Sequence, residues 1–344
     1  MRVAFITAGD PERRTGGHLY NRIVLSGLEA EGFEVCRISP CGASHEEQDA
    51  AAAVFGHRFE ASGFDVLVVD ALARRVCGPH LGRWRRMRPV VALIHELPSV
   101  AGSGGPEEGR FEESLLGSDL LVVVSGDVRD TLLRRGASPG RIRVVPPGRD
   151  LLGPADPPQE KNGEGPVRVL CVGQWIPRKG ILELVRAWRG LGESGAQLVL
   201  VGETGVDGAY AGAVWRAAGG DPSIRVAGAV DDGALRAAYA AADIFALLSR
   251  YEGYGMAYAE ALAWGLPVVG CRVGPVPGLV GEAGLLVEPG DAGGAHEALS
   301  LLVRDEGLRR RMSRIARRRA QELPSWADAV EGFARALREV AGGG

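Results

Sequence analysis

Lysine is nearly absent from this chain. Of its 40 basic residues only Lys161 and Lys179 are lysines, so a position that keeps a compact ammonium where arginine serves almost everywhere else is informative. Cysteine is sparse as well. Cys36, Cys41, Cys77, Cys171 and Cys271 are an odd number with no C-x-x-C pair, so neither an even disulfide framework nor a zinc-ribbon spacing is present. Cys36, Cys171 and Cys271 lie in or beside apolar runs, as reduced structural thiols do, and a reducing cytoplasm is the expected compartment. No segment has the ~18 consecutive apolar residues that a membrane span needs. The opening MRVAFITAGDPERR is a short apolar run followed by acidic residues, a first strand and not a signal peptide. There is no excess of one charge either: a net charge of −3 provides no field to gather nucleic acid. His18, His45, His57, His80 and His296 have no metal-ligand spacing with carboxylates or cysteines, so no metal site is expected. One cationic run, Arg83-Trp84-Arg85-Arg86-Met87-Arg88, reads in two ways. It could touch anionic lipid or a phosphorylated acceptor through arginine and indole, or form the solvated last turn of a helix before a strand at Pro89, which is the commoner fate of such runs. Peripheral membrane contact is therefore possible but not indicated.

What the chain does have is alternation. At 344 residues it suits two domains of roughly 150 residues. Arg2–Ala8, Glu34–Pro40, Val66–Ala71, Pro89–His95, Leu120–Ser125 and Ile142–Pro146 read as strands, with helical patterns such as Gly17–Glu31 and Val128–Arg135 between them. Strands apolar throughout are buried on both faces, the mark of a parallel sheet covered by helices. The pattern fails over residues 151–166, LLGPADPPQEKNGEGP, where four prolines and three glycines make a linker. It restarts with Val167–Gly173, Gln197–Gly202, Ile224–Ala227, Ile244–Ser249 and Pro267–Val273. After Asp291 the chain turns helical, with an arginine-rich helix around Leu308–Glu322 and a last amphipathic helix from Ser325, which can cap it, to Val340. The expected class is α/β, two doubly wound Rossmann-like domains facing each other across a cleft: residues 1–150, a linker over 151–166, and residues 167–324, with 325–344 as a C-terminal helix. Ligands of open α/β sheets bind beyond the carboxyl ends of the strands, so the loops there are where chemistry is sought.

Two such loops carry a clear pattern. After Ile244–Ser249 comes Tyr251-Glu252-Gly253-Tyr254-Gly255, then a helix MAYAEALAW closed by Gly265 and Pro267. The bare backbone of Gly253 and Gly255 at a helix start offers amides for a phosphate or diphosphate. Glu252 in the loop and Glu260 one turn into the helix suit sugar hydroxyls, which donate to carboxylates. The second loop, Gly173-Gln174-Trp175-Ile176-Pro177-Arg178-Lys179-Gly180, follows the second domain's first strand and contains the conspicuous lysine.

The string Glu252-x7-Glu260 with ALAWGLPVVG and AGLLVEPGD resembles the signature of glycosyltransferase family 4, retaining enzymes of the GT-B fold. The resemblance implies that Glu252 contacts the donor hexose, Glu260 the ribose, and the Tyr254, Gly255, Met256 and Ala257 backbone the diphosphate. The second loop resembles the family's G-R-x-x-x-x-K-G element, whose cations clamp the diphosphate; Lys179 keeps its place, Gln174 stands where the family has arginine, and Arg178 is the candidate substitute. In the first domain, Gly16 and Gly17 of Thr15-Gly16-Gly17-His18 match a glycine-rich turn near the donor phosphate and the acceptor, and His95, ending VVALIH, matches a histidine near the anomeric carbon. A helix-start turn and a satisfied structural histidine are the rival readings. Glu203 resembles an acid near the base and ribose, and Val230 and Leu235 lie where the family holds the base. Ser125 and Trp326 match positions with packing roles, and Arg250 either reaches phosphate or forms a salt bridge.

The implied activity is hexosyl transfer from a nucleoside-diphosphate sugar, UDP guessed before GDP or ADP, to a hydroxyl acceptor with retention. Glu252, Lys179 and His95 would be the catalytic positions, with no metal and no cofactor beyond the donor co-substrate. A nucleotide-sugar 2-epimerase on the same fold and a non-catalytic nucleotide-sugar-binding protein are the alternatives. The acceptor and the oligomeric state are not legible.

Overall fold

The computed structural model describes residues 1–342 except residues 11, 14, 42–43, 103–106 and 154–164. Most of the proline-rich linker, Lys161 included, lies outside the described residues. The chain divides into two compact units, Met1–Gly148 with Ser325–Gly344, and Arg149–Pro324.

The first unit holds β1 (Arg2–Ile6), β2 (Glu34–Ile38), β3 (Val66–Asp70), β4 (Val90–Ile94), β5 (Leu120–Val123) and β6 (Ile142–Val144). They form one sheet in the order β2-β1-β3-β4-β5-β6, every pair parallel. The central strands are buried at every position, which is why VLVVD, VVALI and LLVV show no polar alternation. From β1 the chain runs outward to β2 and then crosses back to β3. Thr7 and Asp70 therefore stand side by side at the carboxyl ends where the strand order reverses, the place where open α/β sheets form crevices. The C-terminal helix Trp326–Gly342 belongs to this unit, its first turn closed reciprocally by Ser325 and Asp328.

The second unit repeats the design with β7 (Arg168–Val172), β8 (Gln197–Val201), β9 (Ile224–Gly228), β10 (Ile244–Leu247), β11 (Val268–Cys271) and β12 (Gly284–Val287). Its sheet, β12-β11-β10-β7-β8-β9, is again parallel throughout. The strand order reverses between β7 and β10, which pair through Ile244 with Val169 and Phe245 with Leu170. The two sequence loops singled out above leave the carboxyl ends of these two strands, so residues some seventy positions apart become neighbours.

Two details differ from expectation. The sequence pattern passed over β12, because GLLV is only half-buried and follows the short helical turns of 276–283 directly, with Glu282 as the one charged residue before it. In the cationic run the helix ends earlier, at Trp84, and that indole is fully buried. Arg83 and Arg88 donate to the carbonyls of Gly56, Phe64 and Ser62, and Arg85 pairs with Asp119. These arginines close chain ends, and the indole needed for a lipid contact is spent on the core. Among the described residues no helix is long and apolar enough to cross a membrane.

Candidate functional site

In the second unit both loops depend on glycines in a left-handed backbone that side chains rarely adopt. Gly180 has φ +65°, and a Cβ on it would lie 1.9 Å from the Leu248 carbonyl oxygen. The turn bearing Lys179 therefore closes directly onto the end of β10. Gly255 caps the helix Met256–Ala263 with φ +97°, a left-handed cap that lets the chain leave Glu252 and enter the helix within four residues.

The result is a tight polar cluster. Glu252 is 6% exposed, and its Oε1 accepts from Lys179 Nζ at 2.7 Å and from Ser249 Oγ at 2.6 Å. Its Oε2 has no protein donor among the described residues. Burial pushes this carboxyl up, but the charges of Lys179 and Arg178 and the two hydrogen bonds outweigh it, so Glu252 lies below the ordinary carboxylate value. Arg178 donates from Nη1 to the Tyr251 carbonyl at 3.2 Å. Arg250 turns away and pairs with Glu183 at 2.7 Å, so of its two readings the salt bridge is the one seen.

Glu260, on the helix that follows, has different company. Its Oε2 accepts from Tyr239 Oη at 2.7 Å, and among the described residues no cation offsets its burial. Desolvation raises it to about 7, with the Tyr239 hydrogen bond opposing and Asp232 adding to the rise. At the helix start the first amides, those of Met256 and Ala257, point along the axis without intrahelical acceptors, and the Tyr254 hydroxyl is buried without a hydrogen-bond partner among the described residues. Glu203 is exposed and accepts from Gln174 Nε2 at 2.9 Å. Val230 and Leu235 pack, half-buried, against the unit's core.

The first unit carries a separate polar chain. The helix Gly16–Ala30 starts at Gly16, capped by Thr15. A Cβ on Gly17 would stand 3.2 Å from His95 Cδ2, so the imidazole lies close on the backbone of the glycine turn. His95 Nε2 is 2.9 Å from Asn21 Oδ1. Asn21 Nδ2 donates to Asp70 Oδ2 at 2.6 Å, which also accepts from Thr7 Oγ1 at 3.0 Å. Burial holds His95 below the ordinary imidazole value, against the raising influence of Asp70 and Glu96 and with a further lowering from His18. Ser125 caps the helix Gly126–Arg134, and Trp326 packs 6.0 Å from the Tyr20 ring.

Sequence reasoning singled out Lys179, Glu252 and Glu260 but assigned nothing to Tyr239, Asn21, Asp70 or Thr7. Tyr239 and Asn21 come from helices whose spacing reads as ordinary amphipathic surface. Asp70 had a usable signal: it is the one charged residue in the otherwise apolar strand VLVVD. Among the described residues no three His, Cys, Asp or Glu side chains cluster as metal ligands would.

The family model described as "Glycosyl transferases group 1" matches residues 166–305. The chain is 31% identical over 282 residues to a D-inositol 3-phosphate glycosyltransferase of Corynebacterium jeikeium, covering 73% of this chain and 67% of that one. Against four other curated relatives, one mannosyltransferase and three inositol-phosphate glycosyltransferases, it spans 55–64% of their length. Among solved structures, sucrose-phosphate synthase of Thermosynechococcus elongatus superposes with a TM-score of 0.81 at 25% identity, each chain fully covered. Anabaena Alr3699/HepE in complex with UDP-glucose gives 0.80 at 17% identity, over 98% of this chain and 100% of that one. With these neighbours the two doubly wound units make a GT-B fold, and the chain belongs to the glycosyl transferases group 1 family.

Proposed function

We propose that the protein is a retaining hexosyltransferase that takes its sugar from a nucleoside diphosphate, UDP before GDP or ADP, and delivers it to a hydroxyl acceptor. The observation that carries this reading is Glu252. One oxygen of its buried carboxylate is saturated by Lys179 and Ser249 while the other is open, beside a helix start whose amides suit an anion. A phosphate alone would find no use for that carboxylate. A sugar phosphate would: its hydroxyls donate to Glu252 while its diphosphate faces Lys179, Arg178 and the amides of Met256 and Ala257. An ammonium has three N–H donors, so Lys179 can keep Glu252 and still reach a phosphate oxygen. Glu260 takes the ribose hydroxyls, and Val230 and Leu235 border the base with Glu203 near it. The preference for UDP follows the Anabaena neighbour, solved with UDP-glucose and with UDP and glucose.

In the reaction the bond from the anomeric carbon to the diphosphate oxygen breaks, and a bond to the acceptor oxygen forms on the same face. The departing phosphate oxygen takes the acceptor proton. The charge developing on the diphosphate meets preorganised donors, a form of stabilisation that often dominates catalysis, so this reading invokes no metal and no further cofactor. His95, at the end of β4, and the Gly16-Gly17 turn are assigned to the sugar and acceptor side.

A thermal-shift panel of UDP-, GDP- and ADP-sugars tests the donor, since a ligand bound at a hundred times its Kd stabilises by about 2.7 kcal/mol. The expected result is a rise with UDP-sugars that Glu252→Ala largely keeps while losing turnover. The anomeric configuration of the product, read by proton NMR, tests retention. An inverted product, or no shift with any nucleotide sugar, sinks the reading, and epimerised sugar from donor alone would favour an isomerase instead.

A further inference from the structure

The chain from Asp70 to His95 has only one consistent direction. The Asp70 carboxylate is fully buried and accepts from three donors: the Leu72 amide at 2.9 Å on Oδ1, and Thr7 Oγ1 at 3.0 Å and Asn21 Nδ2 at 2.6 Å on Oδ2. Because Asp70 only accepts, Asn21 must present its NH2 to it; turning the amide round would set oxygen against carboxylate. Asn21 Oδ1 is thereby an acceptor, so the contact of 2.9 Å to His95 Nε2 requires the proton on Nε2. In a neutral imidazole that leaves Nδ1 with a lone pair. Burial, the leading influence on His95, disfavours the charged form, and Nδ1 has no protein partner among the described residues. The ring cannot easily swing to change this. Tyr20 packs edge-on at 5.1 Å and 76°, itself tied by Oη to the Val145 carbonyl at 3.0 Å, and Gly17 lies against the imidazole.

We propose that Asp70, acting through Asn21, is a positioning residue that holds His95 as the Nε2–H tautomer, so that Nδ1 accepts a hydrogen bond from a hydroxyl of the sugar substrate. The tautomer stands on the hydrogen-bond chain alone; the hydroxyl rests on the proposed hexosyl transfer. The same chemistry fits a hydroxyl of the donor hexose and one of the acceptor. Sequence spacing hides the device, since its members come from β1, β3, β4 and the first helix and meet only where the strand order reverses.

Nitrogen-15 NMR of histidine-labelled full-length protein above neutral pH reads the tautomer directly. A protonated-type shift at Nε2 and an unprotonated-type shift at Nδ1 of His95 are expected in the wild type; the opposite pattern overturns the proposal without any variant. Asp70→Asn then supplies an isosteric amide that can donate, which frees Asn21 to turn and give its own N–H to His95. The expected result is a shift of His95 towards Nδ1–H and a fall in transfer rate on the order of a hundredfold, the loss that misplacing a reacting group by about 1 Å brings. Hydrolysis of donor without acceptor separates the two hydroxyls: it falls alongside transfer if the partner is on the hexose and stays if the partner is on the acceptor. A merely structural Asp70 would lower the unfolding midpoint and leave the tautomer unchanged, which also overturns the proposal. If the tautomer switches as expected but wild-type protein transfers no sugar, the hexosyltransferase reading fails and the hydroxyl assignment with it, while the tautomer assignment stands.

Discussion

Glu252 and Glu260 are separated by eight positions in the chain, and both are buried, yet their surroundings act in opposite directions. Glu252 meets an ammonium from the facing loop and a serine hydroxyl from its own and is held below its ordinary value. Glu260 meets one tyrosine hydroxyl and is raised to about 7. Residue type and burial do not decide this; topology does. The parallel pairing of β7 with β10 delivers Lys179 to the first carboxylate, whereas the second, one turn along the helix Met256–Ala263, lies beyond that ammonium. One carboxylate is ready as a fixed acceptor at neutral pH, and the other needs a ligand to complete its ionisation.

The largest test of this difference removes the cation. Lys179→Met leaves Glu252 a buried charge with only the Arg178 charge and the Ser249 hydrogen bond to offset it, and breaking such a pair by deleting one partner typically costs about 3–5 kcal/mol. Unfolding in urea should show a loss of that order at pH 8, shrinking towards pH 5 as Glu252 takes up a proton. Hexosyl transfer should fall by about a thousandfold, since one preorganised electrostatic donor is commonly worth 10²–10³. Stability unchanged at pH 8 would mean that Glu252 does not depend on Lys179, and the contrast with Glu260 would disappear.

The second test uses pH. Because the folded-state value of Glu260 is about 7 against an ordinary 4.5, its contribution to stability is fully present below pH 4.5 and is lost as pH rises through 7. At 1.36 kcal/mol per pKa unit the whole change is about 3 kcal/mol. Ribose hydroxyls donate to the ionised form, so donor binding must displace a proton at pH 6 and not at pH 8. Calorimetry in buffers of different ionisation enthalpy should record proton release on binding at pH 6, with affinity weakening up to about tenfold per pH unit below 7. Glu260→Gln should abolish both effects. The same weakening in that variant would assign the titration to another group and leave Glu260 without its proposed role.

How much of this was readable beforehand follows the same division. Alternating apolar runs without polar breaks announced two parallel sheets, because strands buried on both faces cannot hide their composition. Glu252, Glu260 and Lys179 were readable because glycines, helix signals and a rare lysine mark them locally. Their electrostatic contrast was not, since Tyr239 reaches Glu260 from another helix, and the pairing of Lys179 with Glu252 and not with Glu260 depends on the strand order. In the first unit, His95 was readable as a strand-end residue, whereas its dependence on Asn21 and Asp70 requires the strand order. β12 escaped because it follows the turns of 276–283 directly and is only half-buried, and the run around Trp84 was readable as a solvated helix end, with Arg83, Arg85 and Arg86 exposed, but not for the carbonyls that Arg83 and Arg88 close off.

The smallest expected effect concerns Gln174, where the family resemblance led one to expect an arginine. If the Glu252 side were short of positive charge, Gln174→Arg should tighten donor binding strongly. The structure argues otherwise, because Gln174 Nε2 already donates to Glu203 Oε2 at 2.9 Å, and a guanidinium there would meet that carboxylate before any phosphate. We expect a gain in UDP-sugar affinity below about threefold for Gln174→Arg. Adding Glu203→Gln should release the guanidinium for up to about fivefold more, which corresponds to the roughly 1 kcal/mol upper end for an exposed ion pair. The released charge should also make binding more sensitive to salt. A tenfold gain from Gln174→Arg alone, measured by titration calorimetry, would show that Lys179 and the helix amides leave diphosphate charge unmet, and the self-sufficiency assigned to the Glu252 cluster would have to be given up.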